Sequence, residues 1–442
     1  MRISSTMMSN NYLKQLNGTY EQYSKLMEQA DGSKLHRASD NAVGYSKYLR
    51  YQNNQISNEQ YQSNVSTASS WMKNADAALV NVTDLLQTFK AKVEQGANST
   101  NNESDMKDIA KELLANVQEQ VADLNTQIGD RFLFAGQKDT TMPFEISAKK
   151  MNRGDTFTLD EKQSAFFSGA TGWGDENTTV KQMLKLNGDD GNSYYMNVNT
   201  GDVYTEDFVK NGYKNEDKFD PATQAVGNVT SGTKGTAKAY DVSKNFDQYG
   251  VIKTDANVGT NANYKITVDG KDVNLKLSTT EQYIVKYAGD DKYISMVKKN
   301  GGVDKATDTV NVTGQDINGC DLFDVGNDPH SGTARLNQLL YTVAKLDGAD
   351  YKWAGEQGMT IADSAHATVL GAQTKMAARQ QAYNSSSSML VTQNESITSD
   401  ISDVSSTDVA QLATKLMEYQ TIYSLSLSVG SKILPGTLAD YL

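Results

Sequence analysis

The sequence predicts an α+β fold. Its N- and C-terminal segments are expected to form a long antiparallel α-helical bundle or coiled coil, with a β-rich domain inserted in the middle. Three observations carry that expectation. Val65, Ala68, Met72, Ala75, Leu79, Val82, Leu86, Phe89 and Val93 follow one another at spacings of three and four without a break. That 3.5-residue period keeps one apolar helix face turned toward a partner helix. Similar periodicity returns at both ends of the chain, and between about residues 137 and 330 it gives way to short alternating runs separated by Gly, Pro, Asn, Asp and Thr.

In chain order, the first seam is Leu13, Leu16, Tyr20, Tyr23, Met27 and Ala30. Gly32 is placed to end that helix in a left-handed conformation. Ser39-Asp40-Asn41 offers short polar side chains suited to an N-cap. A helix is therefore expected from about Ala42 to about Gln95, on the order of 80 Å long at the standard rise. Gly96 to Asn102 reads as the reversing turn. A third helix starts near Ser104-Asp105 and carries Met106, Ala110, Leu113, Val117, Val121, Leu124 and Ile128. Its seam repeats after 11 residues, which makes it nearly straight. The bundle core is expected at Val65, Met72, Leu79, Val82, Leu86, Phe89, Val93, Leu113, Val117 and Leu124. Each large side chain there contributes roughly 1.5–3 kcal/mol once a partner helix covers it. Arg131 to Gly136 reads as a short buried strand closed by glycine.

In the middle region, Tyr264–Val268 and Val273–Leu277 flank Asp269-Gly270, a hairpin signal with Lys271-Asp272 lengthening the loop. Tyr194–Val198 before Thr200-Gly201, and Tyr293–Val297 before Gly301-Gly302, look similar. Helices return after Pro329. Leu336, Leu339, Leu340, Val343 and Leu346 make one, stopped by Asp347-Gly348. Ala362, Ala365, Val369, Ala372, Met376 and Tyr383 make another that continues toward Ile397, with a looser stretch at Asn384–Ser388. A last helix begins near Ser406-Thr407-Asp408 with Val409, Leu412, Leu416, Tyr419 and Tyr423. There the apolar face shifts to Ile422, Leu425, Val429 and Ile433 before Pro435-Gly436.

Composition narrows the function. The formal net charge is −12 over 442 residues and the pI is about 4.9, which argues against a nucleic-acid or anionic-membrane partner. One cysteine, Cys320, allows neither an intramolecular disulfide framework nor a multi-cysteine zinc site. The first eight residues hold no apolar signal-peptide core, and no run of 18 apolar residues would span a membrane. Catalytic candidates are weak. Asp363 and His366 lie one helical turn apart, too few donors for a metal; His36 and His330 stand alone. Gly188-Asp189-Asp190-Gly191-Asn192 lacks EF-hand spacing and reads as turn chemistry. Gly172-Trp173-Gly174 lacks the context of a phosphate loop, and Ser385–Ser388 has no nucleophile-elbow context. No catalytic, cofactor or metal site is expected, and the chain is read as a non-enzyme.

Several short motifs resemble the bacterial flagellin superfamily. They are Arg2-Ile3-Ser4-Ser5-Thr6-Met7-Met8, Gly32-Ser33-Lys34-Leu35 through Ser39-Asp40-Asn41-Ala42, Asn98-Ser99-Thr100 and Arg131-Phe132-Leu133-Phe134-Ala135-Gly136. Val369-Leu370-Gly371-Ala372-Gln373 and Leu438-Ala439-Asp440-Tyr441-Leu442 are similar to the hook-associated junction branch of that superfamily, whereas Asn41-Ala42-Val43-Gly44 is closer to the flagellin version. The resemblance covers about residues 1–145 and 331–442. It implies a structural subunit of the flagellum that joins the hook to the flagellin filament, with flagellin itself as the alternative. A secreted adhesin or carbohydrate-binding β-domain on a helical stalk is the reading from another class.

The resemblance also implies type III export without a cleaved signal, an extracellular location on the flagellum, and polymerisation through terminal helices that are disordered in the monomer. The implied partners are flagellin, the other hook-associated junction protein, further copies in a ring and an export chaperone. The implied assembly interface is Leu13, Leu16, Tyr20, Tyr23, Met27, Leu416, Tyr419, Tyr423, Leu425, Val429 and Ile433. Tyrosine suits such a surface, since its apolar body and polar tip tolerate water before assembly and burial after it. The expected division is 1–40, an N-terminal assembly helix and turn; 41–144 and 329–405, the two halves of the bundle; 145–328, a β-rich outer insert; and 406–442, a C-terminal assembly helix.

Overall fold

The structure, a computed structural model, describes residues 5–39, 41–168, 180–211, 225–228, 242–253, 265–294, 309–319, 321–323 and 332–433. Tyr264, His330, Cys320, Gly172-Trp173-Gly174, most of the Tyr293–Gly302 run and the closing Leu438–Leu442 motif lie outside the described residues. The N-terminal helices are α1 (Ser5–Glu28), α2 (Ala42–Gly96) and α3 (Glu103–Leu124). Asn41 caps α2, its side-chain oxygen accepting from the Gly44 N–H at 2.9 Å. Asn102 and Asp105 close a reciprocal capping box on α3, which satisfies two donors that a helix start leaves open. α3 stops at Leu124, so Ile128 lies in β1 (Gln127–Ile128) instead, paired with β2 (Arg131–Phe132).

The middle region holds the short helices α4 (Glu161–Phe167), α5 (Glu206–Lys210) and α6 (Gly314–Asn318). On the C-terminal side are α7 (Ala334–Asp347), α8 (Tyr351–Trp353), a π-helical turn at Ala354–Gly358, α9 (Met359–Ser405) and α10 (Val409–Ile433). α9 stays helical through the serine-rich stretch expected to be loose.

The chain forms two compact units, one of residues Met1–Ser66 with Ser385–Leu442, the other of Thr67–Asn384. In the second unit Met72, Leu79, Val82, Leu86, Phe89 and Val93 of α2, with Leu113, Val117 and Leu124 of α3, are fully enclosed. Val65 is enclosed in the first unit. The cover for the α2 seam can be read from its contacts. Asn116 of α3 donates to the Leu85 carbonyl at 3.0 Å, Lys92 pairs with Glu112 at 2.6 Å, and Lys90 pairs with Asp363 of α9 at 2.5 Å. At the end of α2, Gly96 leaves room for Leu346 of α7, which a Cβ would meet at 2.9 Å.

The β region belongs to this second unit. Its largest sheet runs β10 (Lys265–Val268), β11 (Lys271–Leu277), β6 (Gln182–Gly188), β7 (Ser193–Met196), β8 (Asp202–Thr205) and β9 (Gly227–Asn228), with β5 (Thr156–Thr158) also on β6. Asp269 (φ 49°) and Gly270 (φ 76°) make a two-residue turn, so Lys271 and Asp272 are already strand, opposite Val268 and Thr267. The loop is shorter than expected because both turn residues adopt the left-handed conformation that matches strand twist. Alternation along the sheet buries two faces. Leu184, Leu186, Tyr194 and Met196 pack with Phe246 and Phe323, and Met183, Tyr195 and Tyr204 pack with Phe157 and Phe167. Arg153 and Asp321 form a fully buried ion pair beside Phe323. Two smaller sheets pair β12 (Thr279–Gln282) with β4 (Met151–Gly154) and β13 (Val285–Tyr287) with β3 (Phe144–Ile146).

The five-part division therefore differs from the structure in two places. The β-rich residues 145–328 fall in the same compact unit as the helices of residues 67–384, and their small sheets are bonded to those helices. Gln282 donates to the Asn337 carbonyl at 2.9 Å, and Lys345 of α7 lies 3.5 Å from buried Asp155. The terminal unit also extends beyond 1–40 and 406–442, since α2 and α9 continue it to residues 66 and 385.

Two predictions follow from this core. Leu86→Asp sets an unpaired charge in a fully enclosed site, and is expected to cost about 3–5 kcal/mol in denaturant unfolding followed by circular dichroism. The second concerns alkali. Burial pushes Tyr194 up to about 12, and raises Tyr195, Tyr287, Tyr293 and Tyr341 as well. Above the ordinary phenol value of about 10, the unfolded chain gives up protons that the folded chain keeps. Their stabilisation is therefore complete below that pH and falls above it, furthest for the more deeply buried Tyr195, Tyr287 and Tyr341. These phenols should ionise together with loss of helical signal, not before it.

Candidate assembly surface

α1 and α10 pair antiparallel. The Tyr12 hydroxyl donates to the Ser426 carbonyl at 2.7 Å, and the Tyr20 and Tyr423 rings lie 5.7 Å apart. The turns at their ends join in the same sense. Ser33 and Ser406 form an antiparallel bridge, Lys34 N–H donates to the Ser405 carbonyl at 2.7 Å, and Thr407 N–H donates to the Gly32 carbonyl at 2.9 Å. This is what the Gly32-Ser33-Lys34-Leu35 motif does locally: it supplies a left-handed glycine (φ 93°), two backbone bonds and one buried leucine, Leu35.

The inner seam of the pair is narrower than the sequence suggests. On α1 the half-buried residues are Ser9, Tyr12, Leu16, Thr19, Tyr23 and Leu26, one heptad track, with Ser24 beside it. Leu13, Tyr20 and Met27, read from the sequence as part of the seam, lie one residue over and stay exposed, Tyr20 at 56 %. On α10 the inner track is Leu412, Leu416, Tyr419, Tyr423, Ser426 and Gly430, with no change of phase. The shift of apolar residues to Ile422, Leu425 and Val429 leaves them outward, Leu425 at 61 %. The reason is steric. Tyr12 lies directly over Gly430, where a Cβ would overlap its hydroxyl, so small residues must continue the inner track. The Ile433 side chain lies outside the described residues.

The pair thus has a half-buried inner seam and an outer apolar strip of Leu13, Tyr20, Met27, Met417, Ile422, Leu425 and Val429. Monomeric proteins seldom leave so many large apolar residues exposed on one helix pair, and such patches mark interaction sites.

Residues 3–139, which include α1, match the family profile of the bacterial flagellin N-terminal helical region. That part of the chain is similar to the N-terminal helical region of bacterial flagellins. Flagellin of Salmonella berta is 26 % identical over 305 residues, spanning 60 % of this chain and 58 % of that flagellin. Flagellin of Salmonella montevideo is 25 % identical over 302 residues, with the same coverage. The chain therefore spans a little over half the length of these relatives. Among solved structures, the flagellar junction protein FlgL from Legionella pneumophila has a TM-score of 0.34 at 12 % identity, covering 76 % of this chain and 98 % of that one. A Vibrio parahaemolyticus chain assigned as a flagellar hook-associated protein has a TM-score of 0.41 at 14 % identity, covering 83 % and 100 %.

Within and beside this flagellin region, the sequence reading missed Tyr12 and Gly430, which place the pair, and the exposed Val43, Leu49, Ile56 and Tyr61 of α2. The seven-residue step from Leu49 to Ile56 was the available signal for the latter. The other candidates have structural roles. Asp363 pairs with Lys90, and His36 lies 3.3 Å from Asp31. Asp190 accepts from Tyr194 and Asn192, and Asp189 accepts from Asn274, which is turn bonding. Among the described residues no cluster of three His, Cys, Asp or Glu could hold a metal.

α1 contains no fully buried residue among those described, and α10 only Leu412 and Gly430. Pairing so lightly buried has low local stability. Tyr12→Ala removes the hydrogen bond and the ring over Gly430, and should speed exchange of α1 and α10 amides by about 5–30-fold, or 1–2 kcal/mol. Amides of residues 67–128 should keep their protection in the same hydrogen-exchange experiment.

Proposed function

We propose that this chain is a structural subunit of the bacterial flagellum that joins the hook to the flagellin filament, polymerising through its terminal helices. The observation that carries the proposal is the outer apolar strip on paired α1 and α10, with α1 inside the flagellin N-terminal region. Leu16, Tyr23, Leu416, Tyr419 and Tyr423 hold the two helices together. Leu13, Tyr20, Met27, Leu425 and Val429 then meet neighbouring subunits. Covering the strip stabilises the assembly by roughly 25 cal/mol for each Å² of apolar area removed from water, against an ordering cost of about 1–2 kcal/mol per backbone residue.

In this reading the partners are flagellin above, the other hook-associated junction protein below, further copies in a ring, and an export chaperone before assembly. The place of action is the extracellular flagellum. The junction role rests on the Val369–Gln373 and Leu438–Leu442 motifs. The competing role of filament subunit is favoured by the curated relatives, which are flagellins.

The experiment is a deletion strain together with assembly of the purified chain. A junction subunit leaves hooks without filaments and flagellin shed into the medium, and alone forms at most a short ring. Long filaments grown from this chain alone would replace the junction role with that of flagellin. In either role Tyr20→Asp with Leu425→Asp should abolish assembly and motility while leaving the melting of residues 67–384 unchanged. Retained assembly would remove the outer strip from the interface.

A further inference from the structure

Three side-chain carboxamides of the helical part hold backbone of the β region in the same way. Asn125, which ends α3, accepts from the Phe144 N–H at 3.0 Å and donates to the Phe144 carbonyl at 2.9 Å. Asn337 of α7 accepts from the Val285 N–H at 2.8 Å and donates to the Val285 carbonyl at 3.2 Å. Gln357, in the π-helical turn, accepts from the Thr158 N–H at 2.8 Å and donates to the Thr158 carbonyl at 3.2 Å. Each amide therefore offers one acceptor and one donor to the N–H and C=O of a single strand residue, as a neighbouring strand would.

The three receiving residues all face away from their own strand partners. Between β3 and β13 the ladder bonds are flanked by Ser147 N–H to Ile284 and Ala288 N–H to Pro143, so Phe144 and Val285, each one residue from such a bonded pair, turn outward. Thr158 does the same on β5, since its neighbour Leu159 donates to Lys181. β3, β5 and β13 are each three residues long, and the Asn337 and Gln357 bonds to Val285 and Thr158 are buried. Without the amides, those edges would leave N–H and C=O groups unpaired and out of water.

We propose that Asn125, Asn337 and Gln357 form the latch through which the helices and the β region of residues 67–384 fold as one cooperative unit, each amide replacing a missing neighbour strand. The chemistry makes the latch specific. A carboxylate of the same shape keeps the acceptor but loses the donor, and turns negative charge toward a carbonyl oxygen. A protonated carboxyl has both again.

Asn337, only 1 % exposed, is the place to test it. Its nitrogen also donates to the Thr333 hydroxyl at 3.1 Å. The charged or titratable groups on the elements packed around it are Arg335, Tyr341, Lys345 and Asp347 on α7, Lys286 and Tyr287 on β13, Glu145 on β3, Glu281 on β12, Asp316 on the Gly314–Asn318 helix, and Glu103, Asp105, Lys107, Asp108, Lys111, Glu112, Glu119 and Asp123 on α3. Arg335 is committed to Asn318 and Gln120.

The experiment melts the full chain at neutral and acid pH, following helix by far-UV circular dichroism and the β region by tyrosine signals, with wild type at each pH as reference. Asn337→Asp should melt at least roughly 5 °C below wild type at neutral pH, with the two signals separating. The deficit should shrink as pH falls through the carboxyl range, because the acid regains its donor. Asn337→Ala should show a deficit that does not recover. Wild-type melting of Asn337→Asp at neutral pH would overturn the proposal, as would the same pH response in the Asp and Ala variants. Where Asn337→Asp does not fold at neutral pH, Gln357→Glu is judged by the same signals and the same recovery in acid.

Discussion

The apolar seam of α2 runs from Val65 to Val93, and it stabilises nothing until other helices exclude water from it. Only α3 is close in sequence. The rest of the cover in residues 67–384 comes from α7 and α9, more than 200 residues later, so the helical core closes only when the two ends of the chain meet. The contacts along the seam show how the register is kept. Asn116 on the Leu85 carbonyl and Lys92 on Glu112 set α3, and Gly96 admits Leu346 of α7. In the terminal unit a polar layer does the same, with Asn58 donating to Gln393 and Gln62 to the Leu390 carbonyl. A heptad seam repeats itself, and polar residues of this kind select one register among several that bury equal apolar area.

Because the chain between α3 and α7 starts and ends on the core, the β region need not be a free excursion. Its two-stranded sheets, β3–β13 and β4–β12, could not stand alone, as such sheets are marginal in water. They gain their order from the helices. Asp155 bridges Lys345 and Ser278, and side-chain amides finish the strand edges. The buried Arg153–Asp321 pair is costly to desolvate, and burial holds the Asp321 carboxyl above its usual range despite the guanidinium beside it. Its effect is positional: it fixes the 321–323 segment so that Phe323 enters the sheet core against Phe246.

The sequence was most legible where structure is local. A 3.5-residue period, a capping residue before it and an Asp-Gly turn each act within a few residues of chain, and α2, α3, α7 and the β10–β11 hairpin follow them. It was least legible where a residue answers to something distant. Nothing near Gln357 signals that its amide completes a strand edge at Thr158, and nothing near Ala354 signals a π-helical turn. The amide clasps also explain why a change of composition at residue 145 looked like a domain boundary. Composition records the change from helix to strand, but not the hydrogen bonds that join them.

The terminal helices show the same limit in a more instructive form. Leu13, Leu16, Tyr20 and Tyr23 look like one seam because spacings of three and four describe two adjacent tracks equally well. The structure separates them by one rotation step. Leu16 and Tyr23 face α10 and are half-buried, while Leu13 and Tyr20 stay exposed, Tyr20 with its ring 5.7 Å from that of Tyr423. The choice is made on the other helix, where Ser426 and Gly430 are small enough to receive Tyr12. Once Tyr12 is seated, every residue one place further round α1 must turn outward, and the apolar residues at 422, 425 and 429 of α10 are left with no partner in the pair. A helix pair optimised only for its own stability would place leucine on the inner track and polar residues on the outer one. Here the inner track mixes Leu16, Leu26, Leu412 and Leu416 with Tyr, Thr, Ser and Gly, while Leu13, Ile422, Leu425 and Val429 lie outside it. Leucine outside the seam adds nothing to the pair itself, and in the function proposed here it meets a neighbouring subunit.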